Sequence, residues 1–272
     1  MAPNFGRSIS FPLTPARSFS KPRHVRSVSL PGTTSSHPLL ANLHARIAAL
    51  RAESSIPAGL ANIHALHAAL ADLLLLPASV AALRCTTSNT GDGLLDAFLL
   101  LADAHQGFQE CLLELRQAAA ESRAALRRGD TGRLASASRS HHRAEKELAR
   151  LTASASAIST KCARLNLVAV TGEEAEMAYA LVEAAAASAA ASTAVFSAAA
   201  SMSSAASSCK KTTTFIPPFA RKSPTPDTAE ANVERLHALE QCFDECDSAC
   251  DLVFRSVVQT RVSLLNIMTP TI

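Results

Sequence analysis

The feature that most constrains this chain is a pair of heptad seams separated by a glycine-containing turn. Apolar residues recur at alternating spacings of three and four from Leu94 to Leu126, and the same spacing resumes from Leu134 to Leu165. This is the a/d pattern of helices that pack along one face. Residues 127–130 (RRGD), between the two runs, are typical of a turn. Two long amphipathic helices joined by a short loop must pack antiparallel to bury their stripes, so the sequence predicts a helical hairpin.

Composition extends the helix prediction to most of the chain. Ala and Leu dominate, there is no Trp, and strand-forming residues are scarce. Such a composition favours helix, and the lack of alternating strand and helix patterns argues against an α/β enzyme scaffold. We therefore predict an all-α fold: an antiparallel bundle of four to six helices with long central helices and a disordered N-terminal arm.

Helix start and stop signals place the remaining helices on both sides of the hairpin. Ser36 is the expected cap of a first helix that has Pro38 in its first turn, and a second apolar run from Ile56 to Leu74 is kinked or ended by Pro77. Gly91–Asp92–Gly93 is a predicted break, and a capping box at residues 171–174 opens a later helix. The last helix is predicted from about Thr228 to Met268. The last helix carries a third apolar seam, so we expect it to dock on the bundle.

An Ala/Ser-rich segment at residues 184–209 contains no charged residue. It is long enough to span a bilayer, but Ala and Ser gain little in hydrocarbon and no Leu/Ile run is present. A close-packed or frayed helix is the preferred interpretation, with membrane contact as the alternative. Residues 210–227 are predicted to be a linker because their prolines are too dense for a helix.

The N-terminal arm, residues 1–36, differs from the bundle domain predicted at 37–268. It holds five basic residues and no acidic one, which leaves 21 basic and 23 acidic residues for the remainder. The arm is rich in Ser, Pro and Arg and has no apolar periodicity. It cannot bury enough apolar surface to offset its ordering entropy, so the sequence predicts disorder.

Three copies of the pattern RSxSxP lie in this arm. They occupy residues 7–12, 17–22 and 26–31, with arginines Arg7, Arg17 and Arg26, serines Ser10, Ser20 and Ser29, and prolines Pro12, Pro22 and Pro31. The pattern resembles the phosphoserine motif that 14-3-3 proteins read, and an Arg three residues before the serine suits a basophilic kinase. A phosphate adds nearly two negative charges for an Arg cluster to bind. Two sites on one arm would engage a dimeric reader at high effective concentration.

Other interpretations of the arm remain open. The repeats could be a coincidence of an Arg/Ser/Pro-rich composition, or the arm could be a transit peptide, which is also Arg- and Ser-rich. It could also tether the protein to an anionic membrane surface. Nucleic acid is a poor fit because only five charges are present and the Phe residues of the arm are isolated rather than arranged for stacking. We expect a cytoplasmic protein, in part associated with a membrane, with organellar targeting as the weaker alternative.

No catalytic or metal-binding constellation emerges from the sequence. Cys242, Cys246 and Cys250 are spaced four apart, but the last two fall in the apolar seam, where Cys behaves as a small hydrophobe. His105 and His141 also occupy seam positions and are interpreted as core residues. The chain contains none of the HExxH, GxSxG, GxxxxGK[ST] or GxGxxG motifs. We therefore predict no enzymatic activity, metal, cofactor or small-molecule substrate.

Three stretches of the sequence are distinctive when taken together: HVRSVSLPGTTSSHPL, LADLLLLPASVAAL and LEQCFDECDSACDLVFRSVVQTRVSLLNIMT. They resemble a plant-specific family known as domain of unknown function 241, which is related to the BYPASS proteins. The resemblance covers nearly the whole chain from His24 onward. It implies an all-helical plant protein with no established enzymatic activity, from a group associated with root and shoot development. It also implies that the RSVSLP segment is retained in the mature protein.

Overall fold

The computed structural model describes residues 37–51, 55–85, 88–165, 172–207 and 226–269, and all regular secondary structure within them is helical. The helices are α1 (Pro38–Leu50), α2 (Ile56–Leu74), α3 (Pro77–Cys85), α4 (Ser88–Arg128), α5 (Thr131–Cys162), α6 (Glu173–Ser207) and α7 (Pro226–Met268). The all-α prediction is confirmed. There is one helix more than the four to six predicted, because the chain bends by 88° after α2 and Pro77 opens a new short helix.

The predicted hairpin is formed by α4 and α5. Gly129 takes a positive φ of 67°, a conformation that costs little only for a residue without Cβ. Asp130 then caps α5, since its carboxylate accepts a hydrogen bond from the Arg133 backbone N–H at 2.9 Å. The two helices run antiparallel, with Lys161 near the end of α5 paired to Asp96 near the start of α4 at 3.6 Å. The turn and the seam together therefore position the two central helices.

The long helices surround one apolar core. α4 packs along its length against α5 and α7, α6 packs against α5, and α2 inserts between α6 and α7. The predicted docking of the last helix is confirmed, because Phe243, Val253 and Leu264 of α7 are buried in that core. Phe108 of α4 stacks on Phe196 of α6 with ring centroids 4.4 Å apart. α6 contacts each of the other six helices.

The predicted break at Gly91–Asp92–Gly93 is wrong, because α4 runs through it. Both glycines are buried against side chains from other helices. A Cβ at Gly93 would lie 2.7 Å from a Leu165 methyl group, and one at Gly91 would meet the end of Met268. These glycines therefore serve close packing rather than chain reversal. They let the end of α5 and the end of α7 approach α4.

Several predicted helix limits need adjustment. His37, whose Nδ1 accepts from the Leu39 backbone N–H at 3.3 Å, caps α1, while Ser36 lies outside the described residues. α7 begins at Pro226, so the last two residues of the predicted 210–227 linker are helical. Residues 208–225, and Thr171 of the predicted capping box, lie outside the described part.

α6 contains most of the Ala/Ser-rich segment, and it is the central helix of the bundle. By length and composition it could cross a membrane, but 61 % of its most apolar window is buried inside the protein. Its buried residues are mostly Ala and Ser and leave room for neighbouring helices on several sides. Its apolar character is therefore accounted for by packing within the bundle.

Candidate functional site

The residues predicted to bind a partner through the arm lie outside the described part of the chain. They are the serines Ser10, Ser20 and Ser29, the arginines Arg7, Arg17 and Arg26, and the prolines Pro12, Pro22 and Pro31. The structure therefore leaves the phosphorylation prediction as it stands. What it adds is the arrangement of polar groups within the bundle and on its surface.

Serines along α6 form hydrogen bonds with histidines from three other helices. The first pairing is at His67 of α2, which lies between two hydroxyl groups. Its Nδ1 is 2.9 Å from Thr260 Oγ1 of α7, and its Nε2 is 2.9 Å from Ser188 Oγ of α6. Thr260 Oγ1 donates to the Ser256 carbonyl, so it accepts from His67 Nδ1–H, and Nε2 accepts from Ser188. This assignment satisfies both ring nitrogens of a neutral imidazole.

The second pairing joins His105 of α4 to Ser192, one turn along α6. His105 Nε2 is 2.8 Å from Ser192 Oγ, which donates its own proton to the Ser188 carbonyl at 2.9 Å. The imidazole is therefore the donor in this pair. His105 Nδ1 is then a buried acceptor with no hydrogen-bond partner among the described residues. The ring also packs edge-on against Phe196, with centroids 5.3 Å apart.

The third pairing lies near the C-terminal end of α6. His141 Nε2 of α5 is 2.8 Å from Ser203 Oγ. Glu145, one turn further along α5, accepts hydrogen bonds from Ser203, Ser204 and Ser207 at 3.2 to 3.3 Å. Its Oε1 is thus directed at α6, while its Oε2 lies 3.5 Å from Nδ1 of the exposed His142 on α5.

Burial fixes the protonation of the first two imidazoles. It lowers the pKa of His105 to about 4. Burial also lowers the pKa of His67, to about 3, with smaller contributions from the charges of His105 and His64. Both rings are therefore neutral at physiological pH. The three pairs resemble the Ser–His part of a nucleophilic site only in composition, since Ser188, Ser192 and Ser203 are fully buried and Ser192 accepts rather than donates toward its histidine. Their geometry supports a role in aligning helices.

Two of the three cysteines spaced four apart on α7 are core residues, as their seam positions predict. Cys246 and Cys250 are buried, and Cys242 is partly exposed. Burial raises the pKa of Cys246 and of Cys250 to about 12, so both thiols are protonated at neutral pH. Within the described residues, no three His, Cys, Asp or Glu side chains converge as metal ligands would.

The solvent face of α5 carries a row of cations, Arg139, Arg143, Lys146 and Arg150, which we call the basic face. All four are exposed. Arg150 pairs with Glu147 on the same helix, whereas Arg139, Arg143 and Lys146 form no ion pair within the described part of the chain. On α6, which packs beside α5, no charged residue occurs from Ala184 to Ser207.

Two shallow grooves lie elsewhere on the bundle. One, of about 460 Å³, is lined by α1, α5 and α6 and is bordered by the Arg51–Glu183 ion pair. The other, of about 420 Å³, lies between α6 and α7 beside Met202 and Leu239. Neither groove is lined by a residue of the basic face.

Sequence reasoning placed His105 and His141 in the core but missed their partners. The signal was present, because Ser188 and Ser192 are spaced four apart and lie on one side of α6. The partner histidine of Ser188 is 121 positions away and that of Ser192 is 87 positions away, so only the tertiary structure pairs them. Nothing in the sequence indicates that Oε1 of Glu145 is directed at the serines of α6.

Comparison with known proteins identifies the family of this chain. The family model described as "Protein BPS1" matches residues 59–267, from the first turn of α2 to the last turn of α7. No curated protein and no solved structure gives a significant match. The FRSVVQTRVSLLNI stretch noted in the sequence lies within the match. Thr260 bonds His67 there, and Arg261 donates to the Leu95 carbonyl at 3.3 Å. The match covers well over half of the chain, which therefore belongs to the BPS1 family.

Proposed function

We propose that this chain is a non-catalytic helical adaptor or regulator of plants that acts in root and shoot development. In this proposal a basophilic kinase phosphorylates its N-terminal arm, which a 14-3-3 dimer then binds in the cytoplasm. Membership of the BPS1 family suggests the developmental role. The observation that carries the adaptor role is the presence of three RSxSxP repeats in one arm.

The organisation of the bundle is consistent with an adaptor. The buried histidines bond serines of α6 rather than facing a pocket, and the serines themselves are inaccessible to a substrate. The basic, proline-containing arm carries the features that a phosphopeptide reader needs. These are arginine three residues before the phosphate and proline two residues after it.

Capture of 14-3-3 proteins by the full-length chain tests the proposal. The chain with Ser20→Ala and Ser29→Ala should lose most of this capture, because only one phosphorylatable motif would remain for a dimeric reader. A matched control is the chain with Thr34→Ala and Ser35→Ala, which changes two hydroxyl residues of the arm outside the three motifs and should bind as wild type. Phosphatase treatment should abolish the capture that remains with either variant. Equal capture by the two variants would refute the proposal.

A second candidate is a peripheral membrane protein held by the basic arm and the Ala/Ser-rich helix. The packing of α6 in the core favours the arm as the tether, because insertion of α6 would expose the core it now fills. An electrostatic tether predicts membrane association that falls steeply with salt. Association that resists both salt and carbonate would instead indicate insertion of α6.

A further inference from the structure

The basic face of α5 is a second interaction surface, separate from the arm. We propose that it binds the anionic phospholipid head groups of a membrane. The inference rests on the second candidate function, membrane association, and places an anchor in the folded bundle. Three observations carry it: the alignment of the cations, the engagement of both α5 carboxylates by other partners, and the small-residue surroundings.

The cations are aligned by helical geometry. Arg139, Arg143, Lys146 and Arg150 are spaced four, three and four residues apart, so their side chains leave α5 on one side. At 1.5 Å per residue they cover about 16 Å of helix. A row of this length reaches several lipid head groups at once. The individual attractions to an anionic surface then add.

Both carboxylates of α5 have partners other than Arg139, Arg143 and Lys146. Glu145 Oε1 accepts hydrogen bonds from Ser203, Ser204 and Ser207 of α6, and its Oε2 lies 3.5 Å from Nδ1 of His142. Glu147 is tied to Arg150 by hydrogen bonds to both of its carboxylate oxygens. Neither carboxylate of α5 forms an ion pair with Arg139, Arg143 or Lys146.

The described surroundings of the row lack exposed large apolar side chains. No large apolar side chain is exposed on the described part of α5, and the C-terminal half of α6 beside it exposes Ala and Ser. A protein interface normally needs buried aromatic or aliphatic anchors, and single-stranded nucleic acid needs stacking platforms. Adsorption to an anionic bilayer needs charge alone. Lipid head groups are therefore the ligand that this face fits best.

A second copy of the chain is the main competing ligand, because α7 is acidic. Its N-terminal half exposes Glu230, Glu234, Glu245 and Asp247. Two other acids of that half are already neutralised within the bundle, since Arg116 pairs with Asp244 and Arg123 with Glu240. This reduces the charge that could attract the basic face of another molecule, so self-association is treated as an outcome of the test.

Vesicle co-sedimentation of the full-length chain tests the proposal. The vesicles contain either phosphatidylcholine alone or equal parts of phosphatidylcholine and phosphatidylserine. The test variant carries Arg139→Gln, Arg143→Gln and Lys146→Gln. Each cation near an anionic surface is worth about a fivefold change in partitioning, so the variant should bind the mixed vesicles about a hundredfold more weakly. Binding by wild type should require phosphatidylserine and be lost in about 1 M salt, where the Debye length is about 3 Å.

A matched control removes the same charge from exposed arginines off the basic face, through Arg46→Gln, Arg164→Gln and Arg255→Gln. It should retain most of the binding. A variant in which all five basic residues of the arm are changed to Gln measures the contribution of the arm. Substituting the basic face in that background should still weaken binding. Far-UV circular dichroism checks that each variant is folded.

Several results would overturn the proposal. One is equal binding of mixed vesicles by the test variant and the matched control. Another is a wild-type chain that stays off the vesicles but forms oligomers which the test variant disrupts, because the face would then be assigned to a second copy. Capture of 14-3-3 proteins by the test variant should equal that of wild type. The vesicle assay can therefore refute lipid binding by the basic face while the adaptor proposal stands. Loss of 14-3-3 capture can likewise refute the adaptor proposal while lipid binding stands.

Discussion

Acidification should destabilise this bundle through two buried histidines. Burial lowers the pKa of His67 to about 3 and that of His105 to about 4, whereas an imidazole in the unfolded chain titrates near 6.5. Below pH 6.5 the unfolded chain therefore binds protons that the folded chain does not. The stability contributed by these neutral histidines is complete above the unfolded pKa. It is lost as pH falls from there toward the folded values.

The expected magnitude follows from the position of pH 5 between the folded and unfolded pKa values. It lies about 1.5 below the unfolded value, and each pH unit is worth about 1.4 kcal/mol, so protonation favours each unfolded imidazole by about 2 kcal/mol. Because the folded pKa values lie below 5, protonation of these imidazoles stabilises the folded state by almost nothing at pH 5. Together the two residues should cost about 4 kcal/mol between pH 7 and pH 5. That is a large part of the 5–15 kcal/mol by which domains are stable.

Urea unfolding at pH 7, 6 and 5, followed by far-UV circular dichroism, measures this loss. Circular dichroism suits a helical chain that has no Trp. The informative variant is His105→Gln, which removes one of the two titrating groups. Its free energy of unfolding should fall between pH 7 and pH 5 by about 2 kcal/mol less than that of wild type. Carboxylates that titrate in the same range affect both proteins alike.

The matched control is His142→Gln on the exposed face of α5, where the side chain is 67 % exposed. It should retain the wild-type loss between pH 7 and pH 5. The reasoning would be refuted if His105→Gln lost as much stability on acidification as wild type. It would also fail if wild type were equally stable at pH 5 and pH 7.

Three further substitutions test local packing through urea unfolding at pH 7. Ser188→Ala should destabilise by about 1–3 kcal/mol, because it leaves Nε2 of His67 buried without a partner. Gly59→Ala should cost about 1–2 kcal/mol, since the new Cβ would lie 2.6 Å from a Val195 methyl group that the stiff side chain cannot withdraw. Gly129→Ala should cost about 1 kcal/mol, because it places a Cβ at a φ of 67°.

Each packing prediction has a control on the same chain. Ser197→Ala removes an exposed hydroxyl from α6 and should stay within about 0.5 kcal/mol of wild type. Gly91→Ala meets only the flexible end of Met268, so it should cost less than Gly59→Ala. A Ser188→Ala loss no larger than that of Ser197→Ala would contradict the hydrogen-bond argument. Wild-type stability for Gly129→Ala would contradict the strain argument.

The helical hairpin could be predicted because its information is local. The spacing of apolar residues fixes the two inward faces, and Gly129 with Asp130 ends one helix and caps the next. The docking of α7 followed from a long seam that a terminal helix cannot leave exposed. The arm motifs are local too, and they stay predictions because they lie outside the described residues.

What sequence reasoning missed depends on contacts between distant segments. The glycines at 91 and 93 suggested a break because a glycine pair weakens a helix, yet close approach by Leu165 and Met268 makes the small residues favourable there. The serines of α6 were predicted only as part of a close-packed or frayed helix, because their histidine partners lie on other helices.

The contact of α6 with all six other helices has a consequence for how substitutions are tolerated along the chain. Its buried positions are largely Ala and Ser, so almost every substitution adds volume where several helices meet. The most repetitive stretch of the sequence should therefore accept the fewest changes in a saturation-mutagenesis screen. A filter that discards low-complexity segments as uninformative would remove the helix on which the spacing of the whole bundle depends.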